Sequence, residues 1–220
     1  GRSREQIDDI IASYNDSYTI EKAFKVSTLM NIINTKNMNI TGSDMRVYNM
    51  MLNYLYQTTR LSVTEARNEL LRNNSLSQAT LWKFGVSGDR PIVLVEIFDI
   101  ADLAFVKEIL TAFEYYKNNS IFVDIVIINS ETAQYAKIVK KEIYDELYRI
   151  YTLNSFYHTP GAVTVINGDE LSSDEKHLFY VAARLAFKIK DHHSLQEEIG
   201  ALQQHNKVSN YEKILVETHL

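Results

Sequence analysis

Cysteine is absent from the 220 residues. That excludes disulfide staples, thiolate catalysis and cysteine-ligated zinc, and it fits a reducing compartment. No apolar run approaches the ~18 residues that a membrane span needs, and no charged-then-apolar leader opens the chain. Basic charge is not in excess: the formal net charge is −5, whereas non-specific nucleic-acid binding calls for a basic face. The glycine-rich phosphate signatures G-x-G-x-x-G and G-x-x-x-x-G-K-[ST] are missing after every strand-like run. Six histidines (His158, His177, His192, His193, His205 and His219) show no ligand spacing, and H-E-x-x-H does not occur. Neither a metal nor a cofactor is therefore expected. What remains, 45% hydrophobic and 23% charged, is the composition of an ordinary soluble protein.

The most informative stretch runs from Leu81 to Ile97 and holds the only tryptophan, two of the seven glycines and one of the two prolines. Gly85 and Gly88, three apart, mark a sharp turn, because glycine reaches positive φ without a Cβ clash. Pro91 fixes φ and removes a donor, which suits the first residue of a strand. Ile92-Val93-Leu94-Val95 is an unbroken apolar run, as in a strand buried on both faces. Trp82, Gly85, Ser87, Gly88, Asp89 and Pro91 thus form a structural motif feeding a central strand. Gly85-Val86-Ser87-Gly88-Asp89 is not a nucleophile elbow, since Asp89 stands where a glycine is needed and the turn precedes its strand.

Residues 3–72 read as helices. Ser3 caps the first, with Ile7, Ile10 and Ile11 at helical spacing. Tyr18 to Ile20 open the second, whose broad apolar face holds Phe24, Val26, Leu29, Ile32 and Ile33, and Asn34–Asn39 reads as a polar connector. Thr41–Asp44 start a third helix, and the capping-box pattern Ser62-Val63-Thr64-Glu65 starts a fourth. The methionines and tyrosines of this region are expected as packing between helices rather than as a ligand groove. From residue 91 the rhythm becomes strand–helix repeated three times. The strands are expected at Ile92–Ile97, Phe122–Ile128 and Ala162–Ile166, the helices at Ala101–Tyr116, Glu131–Tyr151 and Asp174–Lys188. The fold class is α/β, a small three-stranded, mainly parallel sheet flanked by helices and preceded by a helical layer. A domain plan follows: a helical segment at 1–76, the α/β domain at 77–190, and a helix (Leu195–Gln204) with a polar tail within 191–220.

In open α/β sheets ligands sit beyond the carboxyl ends of the strands. The residues expected there are Asp99, Asn129, Ser130, Asn167 and Asp169, joined by the aromatic loop residues Phe156, Tyr157 and His158. Such hydroxyl, amide and carboxylate groups suit sugar hydroxyls, and they equally suit helix N-caps, for which Asp, Asn and Ser are preferred. Trp82, Phe156 and Tyr157 read either as stacking platforms or as buried anchors, and a tryptophan beside a glycine turn favours the anchor. No catalytic residue stands out.

The string Leu81-Trp82, Gly85-Val86-Ser87-Gly88-Asp89 and Pro91–Val95 resembles a segment of the very large cyclic β-1,2-glucan synthases. The phosphorylase-like part of those proteins belongs with glycoside hydrolase family 94, the cellobiose-phosphorylase type. Ser3-Arg4-Glu5, Arg72-Asn73, Ala112–Tyr116, Val123–Asn129 and Gly161-Ala162-Val163 extend the likeness over roughly residues 3–200. Arg90 departs from it, standing where an apolar residue, commonly leucine, is expected. The resemblance implies a cytoplasmic piece of a larger enzyme, itself attached to the inner membrane or free, that makes or trims β-1,2-glucan. The family's catalytic groups lie in an α/α barrel and in a membrane-associated part, and no such motif occurs here to carry over. The chain is accordingly expected to act as a non-catalytic interdomain scaffold, with neighbouring domains of the parent chain as partners. The alternative is a carbohydrate-binding module for β-glucan oligosaccharide. A free-standing enzyme is the third reading, disfavoured by the missing motifs, and contact with nucleic acid or membrane is not expected.

Overall fold

The computed structural model describes residues 3–56, 69, 71–131, 136–154, 161–189 and 193–204, with backbone alone at 136 and 151–154. The chain divides into two compact units, Gly1–Thr41 and Gly42–Leu220. The expected helix from Ser62 falls almost wholly outside the described residues, as do Phe156, Tyr157, His158 and the tail beyond 204.

The first unit contains α1 (Arg4–Ser13) and α2 (Ser17–Asn37). Ser3 caps α1 as expected: its hydroxyl accepts from Gln6 N while the Gln6 side chain accepts from Ser3 N. Asp16 caps α2, its carboxylate accepting from Thr19 N at 2.8 Å. The polar stretch expected as a connector is instead the last turn of α2. The chain leaves it through Asn39 at φ +55°, a left-handed position that asparagine tolerates. Neither helix contains a buried residue. The apolar face of α2 therefore lies in water rather than in a core, with Phe24 71% and Leu29 59% exposed.

In the second unit four strands, β1 (Ile92–Ile97), β2 (Asp124–Asn129), β3 (Val163–Asn167) and β4 (Leu185–Lys188), form an all-parallel sheet in the order β3-β2-β1-β4. The helices are α3 (Gly42–Tyr56), α4 (Gln78–Trp82), α5 (Leu103–Asn118), α6 (Ala136–Asn154) and α7 (Ser173–Ala182), with a further helical segment at 195–204. The three expected strands are present. The fourth corrects the expectation, because the helix assigned to Asp174–Lys188 ends at Ala182. Leu178, Val181, Ala182 and Leu185 do fall at helical spacing, but Leu185-Ala186-Phe187-Lys188 also alternates with period two. Leu185 and Phe187 are buried and their neighbours exposed, and pairing to β1 decides in favour of the strand.

β1 is buried along its whole length. Leu94 and Ile92 join Val126, Ile128, Ile166 and the α7 residues Leu178 and Phe179 in one cluster. On the other face Phe105 of α5 meets Phe187 of β4 with ring centres 5.3 Å apart. Helices on both faces make the sheet doubly wound, with the strand order reversing between β1 and β4. α3 is tied to α5 by the Tyr116 hydroxyl, which donates to the carbonyl of Tyr48 at 2.6 Å.

Candidate functional site

The strand ends expected to form a ligand ring are largely occupied with one another. Asp99 accepts from Ala101 N at 2.8 Å and caps a 3-10 turn (Ile100–Asp102). The buried Asn129 accepts from Glu131 N at 3.2 Å, and Asn167 donates to the Glu170 carboxylate. Asp169 is exposed on the 3-10 turn that follows β3. Gly168 lies so close to the end of β2 that a Cβ there would stand 2.8 Å from the Ser130 hydroxyl oxygen. The β2 and β3 ends are thus packed together, with Asn129 buried between them and Asp169 in solvent.

Ser130 belongs to a constellation that the sequence reading missed. Glu96 of β1 is fully buried, and its carboxylate accepts from Lys176 and Tyr180 of α7 and from the Ser130 hydroxyl at 2.7 Å. The Lys176 ammonium also donates to Ser130 Oγ at 3.2 Å, and Lys188 of β4 stands 4.0 Å from the carboxylate. One side chain therefore ties β1, the β2 end, α7 and β4 together. Burial pushes the Glu96 carboxyl up, but the hydrogen bonds from Lys176, Tyr180 and Ser130 and the Lys176 charge outweigh it, so it sits below its ordinary value. The Tyr180 hydroxyl is pushed up by its own burial and by the adjacent carboxylate. A tyrosine held protonated this firmly is a donor, not a base. The constellation fixes the geometry of four elements at once. The legible signal was a lone glutamate inside Val95-Glu96-Ile97, since a charge on a strand buried on both faces needs a partner.

At the amino end the structural motif is as expected in backbone and different in one side chain. Gly85 and Gly88 adopt φ +76° and +74°. The Ser87 carbonyl accepts from Gln78 Nε2 at 2.8 Å and from Trp82 Nε1 at 3.1 Å, Asp89 N donates to Ser87 Oγ at 3.3 Å, and Pro91 leads directly into β1. Trp82 is not the expected buried anchor. It is 62% exposed, while the adjacent Leu81 takes the buried place. Its indole nitrogen ties the loop, and its ring faces water. The emission of this sole tryptophan is accordingly expected toward the red-shifted position of a solvated indole and open to acrylamide quenching. A blue-shifted, protected signal would contradict the loop geometry.

Near the start of β2, Lys117 is 5% exposed, with its ammonium 5.1 Å from the Phe113 ring centre. Burial, and then the charge of Arg90, lower its pKa to about 8, against the opposing pull of Asp124. A ¹³Cε titration should therefore find the Lys117 resonance moving with a midpoint near 8. Folded Lys117 gives up its proton before the unfolded chain does, so this group adds stability as pH climbs from about 8 toward 10.5. Lys117→Met removes that rise. An unchanged profile in the variant would refute the assignment.

Among the described residues no cluster of His, Cys, Asp and Glu is arranged to hold a metal ion, and no helix is long and apolar enough to cross a membrane. No family model matches the chain. The chain is similar to the cyclic beta-(1,2)-glucan synthase NdvB of Rhizobium meliloti, with 29% identity over 135 residues. The match takes in 61% of this chain and 5% of that protein, so the chain corresponds to a small part of the relative it matches. This similarity bears out the relationship to glucan synthases read in the sequence.

Proposed function

We propose that the chain is a non-catalytic α/β piece of a larger carbohydrate-active enzyme, serving as a scaffold between its domains. The observation that carries this is the α2 helix. Tyr18, Phe24, Val26, Leu29, Ile32 and Ile33 are all exposed on a helix without a buried residue, and an apolar surface of that extent marks an interaction site. Apolar groups spread around most of a helix are normally enclosed. At the strand ends, by contrast, Asp99, Asn129, Ser130 and Asn167 hydrogen-bond within the chain. The relative's name supplies the class of enzyme.

The test is association with the polypeptide encoded on either side of this segment, supplied as a separate chain. Binding is expected, and Phe24→Ser with Leu29→Ser abolishes it. The same pair of substitutions changes the stability of the chain alone by no more than about 0.5 kcal/mol, as for other exposed sites. Association that survives both substitutions would remove α2 from the interface and the proposal with it. A second reading, a carbohydrate-binding module for β-glucan, draws on the exposed Trp82, whose indole is held by its bond to Ser87 and offers a flat apolar face to a sugar ring.

A further inference from the structure

The amino end of the sheet carries an open cleft remote from the strand ends named above. Two cavities, of about 570 and 560 Å³, meet there along Tyr56, Asp89, Arg90 and Pro91, which line both. One half is walled by Leu52, Ile121 and Phe122, the other by Arg184 and the last turn of α7. Each is in the size range of small-molecule sites, roughly 300–1,000 Å³. The Tyr56 hydroxyl donates to the Phe122 carbonyl at 2.9 Å, which holds the tyrosine across the cleft. Arg90 stands where the two halves join.

Charge decides what kind of ligand fits. The charged side chains lining the cleft are Asp89, Arg90 and Arg184, and Asp124 faces Arg90 from behind at 3.7 Å. Two carboxylates thus offset two guanidiniums. Lys117, like Asp124, stands behind the lining, where its ammonium faces Arg90 and Asp124, and the carbonyl end of α7 offsets part of that added positive charge. An anion gains little in such a field, and so does a cation. A neutral molecule gains on both walls if it has an apolar face and a rim of hydrogen-bonding groups. Carboxylate and guanidinium side chains can each engage two neighbouring hydroxyls, because both are planar and bidentate.

We propose that this cleft is a saccharide site. A pyranose ring lays its C–H face against Tyr56 and Phe122, and its hydroxyls reach Asp89, Arg90 and Arg184. The inference rests on the carbohydrate reading above and gives it a location at the opposite end of the sheet from the Asn129–Ser130–Asn167 ring. In a scaffold it would hold a stretch of glucan without transforming it.

The test is an amide NMR titration of the full chain with β-1,2-linked glucooligosaccharides, with inorganic phosphate as a charged control. Saturable shifts are expected at Tyr56, Gly88 to Arg90, Ser120 to Phe122 and Arg184, and phosphate should not reproduce them. Arg184→Gln and Asp89→Asn, both at exposed side chains, should each weaken binding roughly tenfold, as for loss of a hydrogen bond to a charged group. Shifts confined to the Asn129–Asn167 ring or to Trp82 would overturn the cleft while leaving carbohydrate binding intact. Absence of shifts at millimolar ligand would overturn both. Equal shifts with phosphate would replace the neutral ligand by an anion and overturn the charge argument.

Discussion

Lys176→Met is expected to destabilise the α/β unit by about 3–5 kcal/mol, the usual consequence of stranding one partner of a buried ion pair. Glu96 is fully buried, whereas the Lys176 side chain keeps 32% of its surface in solvent. The loss therefore comes mainly from the abandoned carboxylate. Tyr180 and Ser130 still donate to it after the substitution, and Lys188 at 4.0 Å is too distant to replace the missing ammonium. The pH dependence should change sign. In the parent chain the folded Glu96 pKa lies below the unfolded one, so its contribution is present above about 4.3 and fades as the pH falls through the folded value. In the variant burial dominates and the folded pKa rises above the unfolded one. Stability is then lost as the pH climbs from about 4.3 upward. Urea denaturation at a series of pH values reads both slopes directly. Parallel curves for the two proteins would show that Lys176 does not hold the Glu96 charge.

Gly161→Ala is expected to cost about 3 kcal/mol, from strain at a left-handed backbone position and a contact that cannot relax. Gly161 has φ +91°, and a Cβ there would stand 2.7 Å from the Val123 carbonyl oxygen, which is backbone. The next residue helps to set the β2–β3 register, since Ala162 N donates to the Asp124 carboxylate at 3.1 Å and its carbonyl accepts from Ile125 N at 2.9 Å. Moving Gly161 therefore disturbs the edge of the sheet as well as itself. Gly200→Ala is the control. It lies in the helical segment at 195–204 with nothing within 4 Å of its added Cβ, so alanine should stabilise by roughly 0.4–1 kcal/mol. Thermal unfolding of the two variants beside the parent is sufficient. A neutral Gly161→Ala would mean that the chain does not turn there as described.

How much of this was legible in the sequence depended on whether the signal was local. β1 was readable to the residue, because Pro91 and Asp99 bracket a run that is apolar apart from Glu96. The cap at Ser3 was readable for the same reason: the backbone N–H that it accepts from, on Gln6, is three residues on. β4 was not, since four residues satisfied two periodicities and only pairing with β1 separates them. The positions of Asp99, Asn129, Ser130, Asn167 and Asp169 at the strand ends followed from topology. Their use did not, because whether an asparagine faces a ligand or its own turn is settled by neighbours in space. The Glu96 constellation draws on residues from three other parts of the chain, so only the glutamate itself could be flagged. Trp82 and Leu81 are adjacent apolar residues, and which one is buried depends on how the short α4 packs.

The most direct measurement for the scaffold reading is amide hydrogen exchange across α1 and α2, in the chain alone and with the flanking polypeptide present. Helices without a buried residue open at little cost. Amides from Arg4 to Asn37 should therefore exchange far faster than those of β1 and become protected when the partner is added. Strong protection in the chain alone, or none in either state, would contradict the proposed role of these helices as a docking surface.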